Sequence, residues 1–327
     1  MEVPGLPMYW QAPMTIALGL VIFIAGLFTL RNGLTRIASK QTEHWIQQFV
    51  KTPLRGVAVG IVATLVTQSS AAVTIISMGL VSAGVLEFQD TIAIILGTNV
   101  GGTFTVGLLS LKVERVGPYV LASGLLLLVA SGLFAAQKPQ LIRRLQSVAI
   151  SLAGFGVLFI GFHVMTSALE PITHSRFVAQ WLVQAKDRPW FGLLAGTLVT
   201  ALIGSSSAST ALTLGLTQSG ALPLLGAVAV VFGNNIGTCM TAVLASLGGS
   251  RAVKRVAATH VLLNVTGALL FMVFLAPFTD LILHLSGDPG RQVFLAHFLF
   301  NAISSWIAYP FIGPIARGLE RLLPDAL

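Results

Sequence analysis

The stretch Thr67–Thr74 reads TQSSAAVT and the stretch Gly204–Thr210 reads GSSSAST, and each interrupts an apolar segment, Leu54–Leu86 or Trp190–Ala221. A membrane span takes about 20 apolar residues, so each segment is too long for one span and too short for two. A re-entrant hairpin fits this length, with a half-helix on either side of a polar turn near the middle of the bilayer. Such a turn persists only where it is packed in protein or lines an aqueous cavity.

The composition is that of an integral membrane protein. Of the 327 residues, 55% are hydrophobic and only 9% are charged, whereas soluble domains carry about 25% charged residues. The net charge of +8 comes from basic residues scattered between apolar runs, which argues against nucleic-acid binding, and Cys239 is a single cysteine without metal-ligand spacing around it. We predict seven full spans free of Asp, Glu, Lys and Arg: Met14–Leu30, Thr91–Leu111, Val116–Gln137, Ser147–Leu169, Leu222–Leu247, Val256–Ala276 and Val293–Ile315.

The two interrupted segments are copies of one unit. A shift of 136 positions superposes Gln68 on Gly204 and aligns many small and polar residues without a gap. The aligned pairs include Gly60 and Gly196, Thr64 and Thr200, Ser69 and Ser205, Ser70 and Ser206, Thr74 and Thr210, Gly97 and Gly233, and Asn99 and Asn235. We therefore predict a single membrane domain over residues 1–327, with repeat 1 at about 52–136, repeat 2 at about 188–276, and no soluble regulatory domain.

The orientation of the repeats follows from the number of predicted spans between the two hairpins. Three spans separate them, so the second hairpin enters from the opposite face and the repeats are inverted, as in many secondary transporters. On this topology 13 of the 19 basic residues share one side, which the positive-inside rule makes cytoplasmic. They are Arg31, Arg36, Lys40, Lys51, Arg55, Lys138, Arg143, Arg144, Arg251, Lys254, Arg255, Arg317 and Arg321. We expect a multi-pass protein of the plasma membrane with its N-terminus outside and its C-terminus inside.

A glycine-rich stretch follows each polar cluster inside an apolar span. Gly97–Thr103 reads GTNVGGT and Gly233–Thr238 reads GNNIGT, and we predict a broken transmembrane helix at each. Carbonyl and hydroxyl oxygens there are suited to a dehydrated sodium ion, and N–H groups at half-helix N-termini are suited to an oxyanion. No Lys or Arg is expected near these groups, so a co-bound cation would neutralise the anion.

These motifs resemble the type II sodium-dependent phosphate cotransporters, including their bacterial relatives. Members carry a Gln-Ser-Ser-Ser signature in each of two inverted repeats, followed by a Gly-x-Asn-x-Gly-Thr-like break. Gln68–Ser70 is similar to the first signature and Ser205–Ser207 to the second. The run Ala245–Arg255 with the following His260 and Asn264, and the ending with His297–Asn301 and then Gly313–Arg317, also resemble the family. Two positions depart from its pattern: Ala71 replaces the third serine of the first signature, and Gly204 replaces the glutamine of the second.

The resemblance implies an all-α symporter that imports inorganic phosphate with sodium by alternating access. Sodium would be the coupling ion, no cofactor is expected, and the protein would not be an enzyme. The expected binding residues are Gln68, Ser69, Ser70, Thr74, Thr98, Asn99, Ser205, Ser206, Ser207, Thr210, Asn234 and Asn235. The expected sodium ligands among them are Gln68, Ser70, Thr98, Asn99, Ser206 and Asn235.

Other functions remain open at this point. The same machinery could carry another small anion, or the chain could be a membrane scaffold. An intramembrane serine hydrolase is disfavoured, because the serines lie in duplicated clusters without an adjacent base. His163, His260 and His297 also fall inside predicted spans, and for them we favour structural interhelical hydrogen bonds over a role in the transport pathway.

Overall fold

The structure, a computed structural model, describes residues 8–50, 52–111, 116–133, 139–169 and 188–324, and all regular elements in these ranges are helical. The all-α class is therefore confirmed. The helices of the first half are α1 (Met8–Phe49), α2 (Pro53–Thr67), α3 (Ser70–Ser82), α4 (Phe88–Gly101), α5 (Phe104–Ser110), α6 (Gly117–Leu133) and α7 (Pro139–Ser167). Those of the second half are α8 (Pro189–Ile203), α9 (Ser206–Gln218), α10 (Leu224–Ala245), α11 (Arg251–Val273), α12 (Leu275–Leu285), α13 (Pro289–Ala308) and α14 (Ile312–Leu322).

Six helical segments in the described ranges are long and apolar enough to cross a membrane. They are Gln11–Ile37, Phe88–Ser110, Gln140–Ser167, Leu224–Ala245, Arg251–Val273 and Pro289–Leu322, and each overlaps one predicted span. The remaining predicted span, Val116–Gln137, overlaps the 17-residue α6, which ends at Leu133. Residues 134–138 lie outside the described part of the chain, so six of the seven predicted spans are matched.

Two pairs of short helices enclose the polar stretches. Helices α2 and α8 have 15 residues each, and α3 and α9 have 13 each. At about 1.5 Å per residue each is shorter than the roughly 30 Å hydrocarbon core of a bilayer. Within each pair the two helices are separated by two residues and contact one another. The turns lie in the polar stretches that the sequence singles out.

Of the two predicted helix breaks, the structure contains only the first. In repeat 1, α4 ends at Gly101 and α5 begins at Phe104, so the break lies at the end of the predicted stretch. In repeat 2 the prediction of a break at Gly233–Thr238 is wrong, because α10 is continuous over all 22 of its residues.

Close helix packing explains why these stretches are rich in glycine. A Cβ atom on Gly233 would collide with the carbonyl oxygen of Leu193 in α8, and one on Gly97 would collide with that of Val57 in α2. The glycines therefore let neighbouring backbones approach one another, a common role of small residues in membrane helices. Both members of each contact are shifted by the same 136 positions, so the two repeats pack alike.

The most extensive contact between two described helices joins α1 to α7, which run antiparallel. Gly19 of α1 faces Met165 of α7, and further along α1 Gly33 faces Ser151. As residue numbers rise in α1 they fall in α7, so the two helices run in opposite directions. Helix α1 precedes the first short helix pair and α7 is the last described helix before the second, so the helices that lead into the two pairs lie side by side and antiparallel.

Candidate functional site

The turn of each short helix pair requires a left-handed backbone. Gln68 follows the end of α2 with φ of 51°, and Gly204 follows the end of α8 with φ of 71°. Glycine adopts this conformation readily, whereas Gln68 is the only non-glycine residue with positive φ in the described part of the chain. The two turns thus have the same geometry although one carries a side chain.

The next residue of each turn caps the following helix. The Ser69 hydroxyl accepts a hydrogen bond from the Ala72 amide at 3.1 Å, and the Ser205 hydroxyl accepts one from the Ala208 amide at 3.4 Å. N-terminal N–H groups of a helix have no partner within the helix, and serine is a preferred residue for satisfying them. Two of the expected site residues therefore also fix the start of α3 and α9.

The Gln68 side chain ties the first turn to the helix after the break. Its Oε1 accepts a hydrogen bond from the Thr105 hydroxyl of α5 at 2.6 Å, and its Nε2 donates to the carbonyl of Leu65 at 2.7 Å. Gln68 and Thr105 also line a pocket of about 170 Å³ whose other walls are apolar. The amide thus links α2 to α5, a contact that glycine at position 204 cannot reproduce in repeat 2.

Arg31 brings a positive charge to the same turn. Its Nε donates to the backbone oxygen of Gln68 at 2.8 Å. The prediction that no Lys or Arg lies near the polar stretches is therefore wrong. The predicted span stops at Leu30 because of this charge, but α1 continues unbroken to Phe49. The negative end of the α2 dipole favours a cation at this position.

Repeat 2 contains a buried hydrogen-bond network around Asn234 of α10. The Asn234 side chain is fully buried, and its oxygen accepts from the Thr210 hydroxyl at 3.0 Å. Its nitrogen faces four oxygen atoms at 2.8–3.2 Å: the hydroxyls of Thr200 and Ser209 and the carbonyls of Gly196 and Val230. This amide orientation is required because carbonyl groups only accept hydrogen bonds. Asn234 and Thr210, two of the expected site residues, are thus in contact, and Thr200 and Ser209 are further partners that the sequence analysis did not place in the site.

The other two asparagines among the expected site residues, Asn99 and Asn235, make different contacts. Asn99 of α4 donates to the Oδ1 of Asn264 in α11 at 3.0 Å, and Asn264 in turn donates to the Sγ of Cys239 in α10 at 3.3 Å. This chain of contacts joins the two repeats. Asn235 instead donates to the carbonyl of Val231 in its own helix at 3.1 Å.

The remaining site residues lie on the same short helices. Ser70 begins α3 beside the break, where a Cβ atom on Gly102 would lie 3.9 Å from the Ser70 Cβ. Ser206 and Ser207 form the first turn of α9, and Ser207 is buried. The Thr98 hydroxyl donates to the carbonyl of Ile95 at 2.8 Å. The buried Thr74 hydroxyl has no hydrogen-bond partner among the described residues.

Two buried histidines lie outside these networks. The ring nitrogens of His260 and the Nδ1 of His297 have no hydrogen-bond partner among the described residues. The predicted structural hydrogen bond is therefore not found at His260, whereas the neighbouring Asn264 does join two other helices. No signal in the sequence separates these two outcomes, because both residues lie on one face of α11.

The repeats contact one another through helices that carry or adjoin the polar stretches. Helix α3 of repeat 1 contacts α10 of repeat 2, and α9 of repeat 2 contacts α5 of repeat 1. The expected residues therefore form two related groups, one on α2–α5 and one on α8–α10, and each group packs against a span of the other half. Neutral oxygens and amides dominate both groups, and Arg31 adds a positive charge to the first.

Comparison with known proteins identifies the relatives of this chain. Uncharacterized protein YqeW of Bacillus subtilis is 36% identical over 307 residues, which are 93% of this chain and 96% of that protein. Putative inorganic phosphate export protein YjbB of Salmonella typhimurium is 24% identical over 304 residues, and the chain spans only 54% of its length. Sodium-dependent phosphate transport protein 2A of Ovis aries is 29% identical over 118 residues, which are 34% of this chain and 18% of that protein.

The family comparison covers both halves of the chain. The family described as Na+/Pi-cotransporter matches residues 22–167 and, separately, residues 160–287. Two successive matches to one family are expected of a duplicated sequence. No solved structure matches the chain significantly. Since the family matches extend over more than three quarters of the residues, the chain belongs to the Na+/Pi-cotransporter family, whose members are phosphate transporters and not enzymes.

Proposed function

We propose that this protein carries inorganic phosphate across the membrane together with sodium. The observation that carries the proposal is the duplicated site on short helices, made of neutral oxygens and amides, in a chain of the Na+/Pi-cotransporter family. Hydroxyl and carbonyl oxygens are ligands that suit a dehydrated sodium ion. The N-termini of α3 and α9, together with the charge of Arg31, suit a phosphate oxyanion.

The proposed architecture is a pair of inverted repeats with re-entrant hairpins α2–α3 and α8–α9. The antiparallel contact between α1 and α7 supports the inversion, and the shortness of the four hairpin helices supports re-entry rather than crossing. Alternating access would then arise from movement of one half against the other around the site. We place the N-terminus outside and the C-terminus in the cytoplasm of a bacterial cell.

Each repeat would contribute half of the site. The first half consists of Gln68, Ser69, Ser70, Thr74, Thr98 and Asn99, and the second of Ser205, Ser206, Ser207, Thr210, Asn234 and Asn235. The hydrogen bond of Gln68 to Thr105 supports a role in fixing the first turn within its own half, and that of Asn99 to Asn264 supports a role in joining the two halves. Direct contact with ions would then fall mainly to the serine and threonine hydroxyls.

Import is the direction that we propose, and export is the alternative. The alternative is favoured by one relative, YjbB, which is named a putative inorganic phosphate export protein. A symporter transports in the direction that its ion gradients set, so the direction of phosphate transport depends on the gradient of the coupling ion. A change of substrate to another small anion is the second alternative, because Ala71 and Gly204 alter both signatures.

Uptake of radiolabelled phosphate into proteoliposomes tests this function. We expect uptake with external sodium to exceed uptake with potassium or choline at equal ionic strength, with protein-free liposomes as the control. Competition by unlabelled sulfate and arsenate tests the substrate specificity. Uptake driven equally well by a proton gradient without sodium would contradict sodium coupling, and stronger inhibition by sulfate than by unlabelled phosphate would contradict the substrate.

A further inference from the structure

The two repeats allow a direct comparison at the position of Asn234. Its counterpart 136 residues earlier is Thr98, which is shorter by an amide group and whose hydroxyl bonds to Ile95 in its own helix. In repeat 2, the Asn234 amide contacts the hydroxyls of Thr200 and Thr210, both at 3.0 Å. Repeat 1 therefore has no amide to meet the two corresponding hydroxyls.

Those corresponding hydroxyls belong to Thr64 of α2 and Thr74 of α3. Both residues are buried, with 2% and 0% of their surface exposed, and neither hydroxyl has a hydrogen-bond partner in the described part of the chain. Leaving a buried polar group unsatisfied costs about 1–3 kcal/mol, so native proteins rarely do it without a reason. Because their counterparts Thr200 and Thr210 both contact Asn234, we expect these two unpartnered hydroxyls to face one position, where they indicate a polar ligand.

Backbone carbonyls lie beside this position as they do in repeat 2. Gly196 packs against Val230 in repeat 2, and both of their carbonyls face the Asn234 nitrogen at 3.2 Å. Gly60 packs against Ile94 in the same manner in repeat 1. The carbonyls of Gly60 and Ile94 are therefore expected to face the same space as the two threonine hydroxyls.

Two helix ends make this space favourable for a positive charge. Thr64 lies in the last turn of α2, which ends at Thr67, and Thr98 lies in the last turn of α4, which ends at Gly101. The C-terminal end of a helix carries about half a negative charge. In repeat 2 only α8 ends nearby, because α10 continues without a break.

We propose that Thr64, Thr74 and Thr98, with the carbonyls of Gly60 and Ile94, form a sodium site specific to repeat 1. These five groups are neutral oxygen ligands, and the two helix ends supply the negative potential that they lack. In repeat 2 the Asn234 nitrogen occupies the equivalent position, so only one sodium ion is held by this device. The assignment of sodium rests on the proposed function, and Thr64 was not among the residues that the sequence singled out.

The test measures the thermal unfolding of the purified full-length protein in detergent, without phosphate, as sodium chloride replaces choline chloride. We expect sodium to raise the wild-type unfolding temperature. Thr64→Val and Thr74→Val, which keep the side-chain shape and remove the hydroxyl, should raise the half-saturating sodium concentration about tenfold or more. Thr64→Ser and Thr74→Ser keep the hydroxyl and should retain most of the response.

The variant Thr98→Asn gives repeat 1 the amide of repeat 2. It should unfold in choline at a temperature no lower than that of the wild type and should no longer respond to sodium. If the two hydroxyls hold only water, the valine variants will shift the unfolding temperature equally in both salts. Any one of three results would overturn the site: equal shifts of the valine variants in both salts, an unchanged sodium response in Thr98→Asn, or a wild-type protein that does not respond to sodium.

This experiment separates the site from the proposed function because it contains no phosphate. Loss of the sodium response in the valine variants, together with an absence of phosphate uptake by the wild type, would retain the site and refute phosphate transport. Sodium-dependent phosphate uptake combined with an unchanged sodium response in the valine variants would retain phosphate transport and refute the site.

Discussion

At the scale of single residues, Gln68 has two roles, of which its counterpart Gly204 shares only the first. Its backbone adopts the left-handed conformation of the turn, and its amide bridges Leu65 and Thr105. The left-handed conformation costs a non-glycine residue roughly 1–2 kcal/mol. Contacts that only the glutamine side chain makes offset this cost, so the asymmetry of the two signatures is expected to be functional.

We expect Gln68→Ala to weaken sodium-dependent phosphate uptake. Losing a partner in a partly buried polar site costs about 1–3 kcal/mol, or roughly a 5- to 150-fold rise in half-saturating sodium. Thr105→Val removes the same hydrogen bond from the other side and should have a similar effect. Ser207→Ala is the control and should be mild, because the matching position in repeat 1 is already Ala71. An unchanged sodium curve for Gln68→Ala would remove this residue from the site.

The reverse substitution, Gly204→Gln, should be tolerated. The wild-type chain already contains glutamine at φ of 51° in the equivalent turn, and no other residue lies within 4 Å of a Cβ atom placed on Gly204. The expected cost is the roughly 1–2 kcal/mol of the left-handed backbone. Size-exclusion chromatography should show a monodisperse protein, and thermal unfolding should show a slightly lower unfolding temperature than that of the wild type. The control Gly204→Ala should behave in the same way. Aggregated Gly204→Gln protein beside well-behaved Gly204→Ala would contradict the equivalence of the turns.

The sequence indicated the polar groups of the site better than their contacts. Serine and asparagine stand out in apolar segments, so the duplication and the signature motifs were enough to single out Ser69, Asn99 and Asn234 as expected site residues. Arg31 was missed because a lone charge after an apolar run looks like the end of a span. Thr64 was missed because a threonine in an apolar helix usually bonds to its own backbone, and only the structure shows that its hydroxyl does not.

At the scale of elements, glycine-rich stretches do not reveal whether a helix breaks. Gly97–Thr103 leads to a break at its end, whereas Gly233–Thr238 lies in the continuous α10. Both a bend in the backbone and close helix packing require the absence of a side chain, so the same residues serve either purpose. The positions of six of the seven spans and of the two short helix pairs were predictable because hydrophobic runs set them, whereas the length of α1 and the continuity of α10 were not.

A substitution at Gly233 tests the packing explanation. We expect Gly233→Ala to destabilise the protein by about 1–3 kcal/mol, because the added Cβ atom would collide with the carbonyl of Leu193. Gly132→Ala in α6 is the matched control, since no other residue lies within 4 Å of its Cβ position, and alanine favours a helix by up to about 1 kcal/mol. Thermal unfolding in detergent measures both variants. Equal stability of the two would indicate that α10 is not tightly packed at Gly233.

At the scale of the whole molecule, the two halves are expected to face opposite sides of the membrane. The antiparallel contact of α1 with α7 and the uneven distribution of basic residues both favour this arrangement. The sequence indicated the duplication through its aligned polar residues, and the structure adds the matching contacts of the two copies. The sequence did not indicate how closely α1 and α7 pack, because glycine spacing alone does not identify the partner helix.

Cysteine labelling tests the inverted arrangement. In a Cys239→Ala background, Thr52→Cys and Arg188→Cys place single thiols just before the two short helix pairs. We expect a membrane-impermeant reagent to reach position 188 from outside the cell and position 52 only after the membrane is opened. Labelling of both positions from the same side would contradict the inversion.

The central claim is that sodium and phosphate move together, and the most direct measurement is net phosphate movement in proteoliposomes with equal phosphate on both sides. A sodium gradient is imposed inward in one sample and outward in the other, with the membrane potential clamped. We predict that phosphate accumulates in whichever compartment sodium enters, so that reversing the gradient reverses the direction of phosphate movement. Phosphate that stays equal on both sides under either gradient, although labelled phosphate still exchanges, would contradict coupling of the two ions.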